Sequence, residues 1–136
     1  MIKVGEHITL DFLGVKKDYP KSFYEKIIYK IAKAAKVEIL NVSSHTFQPQ
    51  GFTLVALLSE SHFSFHTFPE RGVISFDFFT CGNVHPKVAL KILKKEIEHE
   101  RVVVNSFERN NVSLYDDIYS TPGQKKYYVV NNILET

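Results

Sequence analysis

The sequence predicts an α/β (α+β) fold, a two-layer sandwich in which a mainly antiparallel β-sheet carries two helices on one face. Three observations predict it. Roughly six segments read as strands, alternating or continuously apolar, and only two carry apolar residues at helical spacing. The elements run β-α-β-β and then β-β-α-β, which makes two similar halves. Short turn signals join neighbouring strands, as an antiparallel meander requires. A chain of 136 residues is the length of one domain and can bury its own core.

Taken in order, Ile8, Leu10 and Phe12 alternate with His7, Thr9 and Asp11, the period of a half-buried strand. Gly14 and Asp18-Tyr19-Pro20 separate it from a helix over Ser22 to Lys36. Phe23, Ile27, Ile31, Ala34 and Ala35 are expected on the apolar side of that helix, with Lys26, Lys30 and Lys33 turned away. Val37 to Phe47 reads as a strand ended by the turn Pro49-Gln50-Gly51. Phe52 to Leu58, His62 to Phe68 and Val73 to Phe79 are three consecutive strands, the last two joined through Pro69-Glu70-Arg71-Gly72. Pro86 suits the first turn of a second helix, whose apolar side comprises Val88, Leu90, Ile92, Leu93 and Ile97. Lys91, Lys94 and Lys95 make its solvated face. Arg101 to Phe107 returns as a strand, and Lys126 to Val130 offers a short one.

Phe52 to Leu58 and Val73 to Phe79 are nearly continuous in apolar residues, the pattern of strands buried on both faces. Two helices cover one face only. A second copy of the chain is the simplest cover for the other, so the sheet is expected to dimerise.

Composition narrows the function classes. The net charge of +2 comes from scattered Lys and Arg with no basic stripe, which argues against nucleic acid. The single cysteine, Cys81, forbids an intrachain disulfide and a thiol-only zinc site, and it suits a reducing cytoplasm. The first residues lack the apolar core of a signal peptide, and no apolar run approaches the ~20 residues of a membrane helix. The chain is expected to be soluble and cytoplasmic, with no membrane or nucleic-acid partner.

Reactive side chains concentrate between Thr53 and Cys81: Ser59, Glu60, Ser61, His62, His66, Glu70, Asp77 and Cys81. A Ser/His/acid triad could be composed from these types, but there is no Gly-x-Ser-x-Gly elbow and no Gly-rich oxyanion loop. A Cys/His nucleophile pair is equally unspecific. His62, His66 and Cys81 could approach a metal, yet nothing nearby completes a recognised ligand set, and no metal is expected.

The specific signal is the run Glu60-Ser61-His62, then His66-Thr67-Phe68-Pro69-Glu70, then Phe79-Thr80-Cys81-Gly82. It closely resembles the prokaryotic S-adenosylmethionine decarboxylase proenzyme family, which carries Glu-Ser-His, His-Thr-Trp-Pro-Glu and Phe-Thr-Cys-Gly at matching spacing. Weaker similarity runs from about Gly5 to about Glu108 and includes Phe47-x-Pro-x-Gly. Phe68 stands for the usual tryptophan and Arg71 for a common tyrosine. The tail after Asn110 has no convincing match.

The resemblance implies self-cleavage between Glu60 and Ser61 into a β chain (1–60) and an α chain (61–136), with Ser61 becoming a pyruvoyl group. No external cofactor is implied. That group would form a Schiff base with a substrate amine and act as the electron sink that pyridoxal phosphate provides elsewhere. By the same resemblance His66 assists processing, and Thr53 helps it from a position where relatives have serine. Cys81 returns a proton to the substrate carbon; cysteine thiols are mostly protonated near neutrality. Phe47 and His66 would hold adenine, and Glu70 would take the ribose hydroxyls. The implied substrate is S-adenosylmethionine, giving carbon dioxide and the aminopropyl donor of spermidine biosynthesis, in a homodimer of αβ protomers. Pyruvoyl relatives that act on arginine or ornithine, or an uncleaved regulatory paralogue, are the alternatives. Phe47 and Glu70 favour S-adenosylmethionine; the trio Ser61, His66 and Cys81 argues against a retired site.

Overall fold

A computed structural model describes residues 5–81, 84–109 and 131–135. Its strands are β1 (Gly5–Leu13), β2 (Ile39–Thr46), β3 (Phe52–Leu58), β4 (Ser61–Phe68), β5 (Val73–Cys81), β6 (Arg101–Arg109) and β7 (Asn131–Glu135); its helices are α1 (Lys21–Ala35) and α2 (Lys87–Glu96). All strands join one sheet in the order β2-β3-β4-β5-β1-β6-β7. Every neighbouring pair is antiparallel. The two-layer α/β reading therefore holds, with seven strands among the described residues where about six were expected. The short strand expected at Lys126 to Val130 lies outside the described residues.

Period-two alternation sets the layers. Ile8, Leu10 and Phe12 of β1, Phe63 and Phe65 of β4, Ile74, Phe76 and Phe78 of β5, and Val102 and Val104 of β6 are all buried on the helix side. Burying a large apolar side chain is worth ~1.5–3 kcal/mol, so this face supplies the main stabilising term. Helix α1 packs on it through Tyr24, Ile27, Ile28, Ile31, Ala32 and Ala35. The Tyr24 ring lies 5.2 Å from that of Phe52 and 5.4 Å from that of Phe65. Ala34, expected on this side, is exposed; it stands one residue, about 100° of turn, from Ala35. Helix α2 buries Ala89 and Leu93, followed by Ile97, whereas Val88, Leu90 and Ile92 are only partly covered.

Within one chain the opposite face of β3 and β5, expected to be covered by a second copy, is open. Among the described residues no second layer covers it. Val55 is 43% exposed and Leu57 is 53% exposed. On β5 the outward positions Ser75 and Asp77 are polar, so its apolar run alternates after all. Thr53, His66 and Asp77 project from this open face.

Candidate functional site

The strand β4 separates the expected site residues into two groups. Ser61 opens the strand and pairs with Leu58, while His66 pairs with Thr53 five residues further on. At ~3.3 Å per residue the two side chains lie roughly 16 Å apart along the strand. Odd and even positions also face opposite ways: Ser61 shares the parity of buried Phe63 and Phe65, and His66 projects from the open face.

The first group sits at the β3–β4 turn. Only Ser59 and Glu60 lie between the two strands, so the Glu60–Ser61 bond forms the tip of a hairpin. Glu60 has φ +155°, one of two positive values at non-glycine positions among the described residues. Cys81 is half-buried at the end of β5. Because His62 pairs with Phe79, Cys81 belongs to the same end of the sheet as Ser61. Thr80, fully buried, donates from its hydroxyl to the Val84 carbonyl at 2.9 Å and so fixes the backbone next to Cys81. Gly5 faces Cys81 across β1, where a Cβ would lie 2.2 Å from the Thr80 carbonyl oxygen, so only glycine admits the two strands this closely.

The second group forms a cleft of about 530 Å³ lined by Phe47, Gln50, Gly51, Thr53, His66, Thr67, Phe68 and Glu70. Ligand pockets commonly enclose ~300–1,000 Å³, so the cleft has room for a nucleoside-sized molecule. The Thr53 hydroxyl and His66 Nδ1 are 3.1 Å apart, a hydrogen bond that orients the imidazole. Phe47 offers a ring that is 48% exposed, packed edge-on against His45 at 4.6 Å between centroids. Its backbone N–H donates to the Gly51 carbonyl at 2.8 Å; Gly51, at φ +106°, is the residue that turn geometry requires to be glycine. Glu70 follows Pro69 in a short 3-10 turn and is solvent-exposed at the cleft edge. The structure thus brings Thr53, His66, Phe47 and Glu70 together, brings Glu60, Ser61 and Cys81 to another end, and does not join the two groups within one chain.

Gln50, Thr67 and Phe68 also line the cleft without having been assigned to it. Between the two groups lies a polar cluster that sequence reasoning left without a role. Asp77 accepts hydrogen bonds from Ser64 and from His7 Nε2, the latter at 2.9 Å, and His62 Nε2 stands 3.9 Å away. Burial pushes the Asp77 carboxyl up, but the His7 and Ser64 hydrogen bonds and the two imidazoles outweigh it and hold the group below its usual value. Alongside, Ser75 donates to Asp11 at 2.6 Å. The polar parity of His7, Thr9 and Asp11 in β1 is the signal that foreshadows this cluster. Among the described residues no group of three His, Cys, Asp or Glu side chains is placed to hold a metal ion. Nor does any described helix have the length and apolarity to cross a membrane.

Comparison with known proteins points one way. The family model described as S-adenosylmethionine decarboxylase matches residues 6–110. A protein named S-adenosylmethionine decarboxylase proenzyme from Parasynechococcus marenigrum (strain WH8102) is 39% identical over 125 residues, covering 89% of this chain and 97% of that protein. One of the same name from Methanococcus maripaludis is 38% identical over 114 residues, covering 80% of this chain and 92% of its own. Among solved structures, the adenosylmethionine decarboxylase from Aquifex aeolicus VF5 superposes with a TM-score of 0.73 at 28% identity, over 85% of this chain and 98% of that one.

Proposed function

The chain belongs to the S-adenosylmethionine decarboxylase family, and from that premise we propose that it cleaves itself between Glu60 and Ser61 and then decarboxylates S-adenosylmethionine. The observation that carries the proposal is the placement of Ser61 at a hairpin tip beside the end of β5, where the only cysteine lies. The serine hydroxyl attacks the Glu60 carbonyl carbon, the C–N bond breaks, and an ester replaces the amide while the freed nitrogen takes a proton. Loss of the Ser61 α-proton expels the Glu60 carboxylate. Water then releases ammonia from the new terminus, leaving fragments 1–60 and 61–136.

An open hairpin tip with a thiol at the same sheet end fits a terminal pyruvoyl group. Once formed, that group supplies an electrophilic carbonyl that takes the substrate amine and receives the electrons freed with carbon dioxide. Cys81 serves as the proton donor to the substrate α-carbon. Phe47 and His66 flank the adenine, and Glu70 accepts from the ribose hydroxyls, which makes the cleft an adenosine site. His66, oriented by Thr53, serves as the processing base. The product is decarboxylated S-adenosylmethionine, an aminopropyl donor for spermidine synthesis, and the protein is a soluble cytoplasmic enzyme.

The separation of roughly 16 Å between Ser61 and His66 supports a site shared by two chains. The His66 cleft opens on the uncovered face of the sheet, and Cys81, at the Ser61 end, has the outward parity of that same face. A two-fold pairing through that face sets the Ser61 end of one protomer against the cleft of its partner, as an isologous interface does. Intact masses under denaturing conditions test the enzyme reading: the wild-type chain divides at Glu60/Ser61, and the larger fragment carries a pyruvoyl mass. Co-expressing S61A with H66A tests the shared site. Each alone stays whole, and in the pair the H66A chain is cut by the His66 of its partner. An uncut wild type would overturn the enzyme reading; an uncut pair beside a cut wild type would overturn only the shared site.

A further inference from the structure

We infer that the β3–β4 hairpin holds Glu60 in a strained backbone conformation and that this strain drives the cleavage of the bond that follows it. The inference rests on the self-cleavage reading above. Glu60 sits at φ +155°, a region that side-chain-bearing residues rarely occupy and that raises the energy of the chain wherever it is enforced. A two-residue hairpin is relaxed when Asn-Gly, Asp-Gly or Gly-X fills the turn. Here the turn is Ser59-Glu60, between the paired residues Leu58 and Ser61, and within it the Glu60 N–H donates to the Leu58 carbonyl at 3.0 Å. A sequence that merely joined two strands has every reason to place glycine at the strained position, and this one places glutamate.

The turn is also held from outside. The Ser59 N–H donates to the Glu38 carbonyl at 3.0 Å, and the Glu38 N–H reaches the Ser59 hydroxyl at 3.5 Å. Leu58 and Phe63 on either side are buried at 2% and 0% exposure. Both flanks of the tip are therefore anchored in the core or pinned to the chain entering β2, so the turn cannot relax by shifting as a unit.

Acyl transfer relaxes it chemically. In the amide, one atom, the Ser61 nitrogen, separates the Glu60 carbonyl carbon from the Ser61 Cα. In the ester two atoms, Oγ and Cβ, separate them, so the turn lengthens by one atom and Glu60 regains rotation. The exchange of amide for ester is uphill in an unstrained chain. Strain lost at Glu60 offsets that cost, and the later departure of the Glu60 carboxylate removes the constraint altogether. The hairpin is thus a spring loaded at the scissile bond.

The test compares E60G with E60A, which share the loss of the carboxylate but differ in whether a Cβ opposes the positive φ. Processing half-lives are read by intact mass, with E60G expected at least fivefold slower than E60A. On an S61A background, which keeps both chains whole, E60G is expected to melt higher than E60A. Glycine ordinarily lowers stability by loosening the unfolded chain, so the reversed order is diagnostic. E60G processing as fast as E60A, or melting lower on the S61A background, would overturn the inference. If the wild type is not cleaved after Glu60, the decarboxylase reading fails, while the melting comparison still decides whether Glu60 is strained.

Discussion

Replacing Asp77 by asparagine should weaken the fold in a way that fades in acid. The carboxylate accepts from Ser64 and from His7, with His62 close by, and its side chain is 28% exposed. Hydrogen bonds to a charged group contribute ~1.5–3 kcal/mol each, less where solvent screens them. Asparagine keeps the shape and one acceptor oxygen but loses the charge, so a net loss of about 1–2 kcal/mol is expected. Unfolding entropy near ~2.1 cal/mol/K per residue converts this to about 3–7 °C for a chain of 136 residues. The sign of the pH dependence follows from the lowered value of Asp77. Between its folded value and the unfolded one, near ~3.9, the unfolded chain binds more protons, so stability rises with pH there. The contribution is complete above the unfolded value and is lost as pH falls through the folded one. Thermal melts of S61A and S61A/D77N from pH 7 to pH 2.5 should therefore show a constant gap above about pH 5 that closes in acid. A gap that stays constant to pH 2.5, or widens, would refute the charge-assisted account of this cluster.

Three further outcomes bear on the site. T53V removes the 3.1 Å hydrogen bond to His66 and should slow processing about 3–10-fold, the worth of one such bond, whereas T53S should restore it; equal half-lives by intact mass would deny Thr53 a part. E70Q should raise KM for S-adenosylmethionine about tenfold while leaving the rate of self-cleavage unchanged, and ornithine or arginine should not compete with the substrate in a carbon dioxide release assay. C81A should lower kcat about 10²-fold or more with KM nearly constant, the size of effect expected of a general acid; an unchanged kcat would move the proton donor elsewhere.

The fold was legible where local pattern decides it. Ile8, Leu10 and Phe12 alternate cleanly, and β1 buries those residues. It was less legible where arcs of a helix have soft edges, as at Ala34, which is exposed while Tyr24 and Ile28 fill the core. The place of β1 between β5 and β6 depends on pairings far apart in sequence, which period alone does not encode. The contact of His7 with Asp77 spans 70 residues and was invisible for the same reason. The residue types of the candidate site came from the motif, but their arrangement in space could not come from it. Ser61 and His66 stand close in the sequence, and an extended strand turns that nearness into distance. Nor does any residue type announce a backbone torsion, so the conformation of Glu60 could be learned only from the hairpin that imposes it.

The polar strip on the open face bears on how that face could be covered at all. Burying a lone charge under a second sheet costs several kcal/mol, so a face carrying Asp11 and Asp77 would ordinarily resist association. Here both carboxylates already have partners within their own sheet, Asp77 in Ser64 and His7, Asp11 in Ser75. Among the described residues no buried side-chain polar atom lacks a partner. A layer laid on this strip would bring few new polar demands, and it would gain the exposed apolar area of Val55 and Leu57 to one side. Asp77 and His7 lie between the Ser61 end and the row of His66, while Asp11 and Ser75 share that row, so under the proposed pairing the surface that would hold two protomers together would also space the two halves of the site.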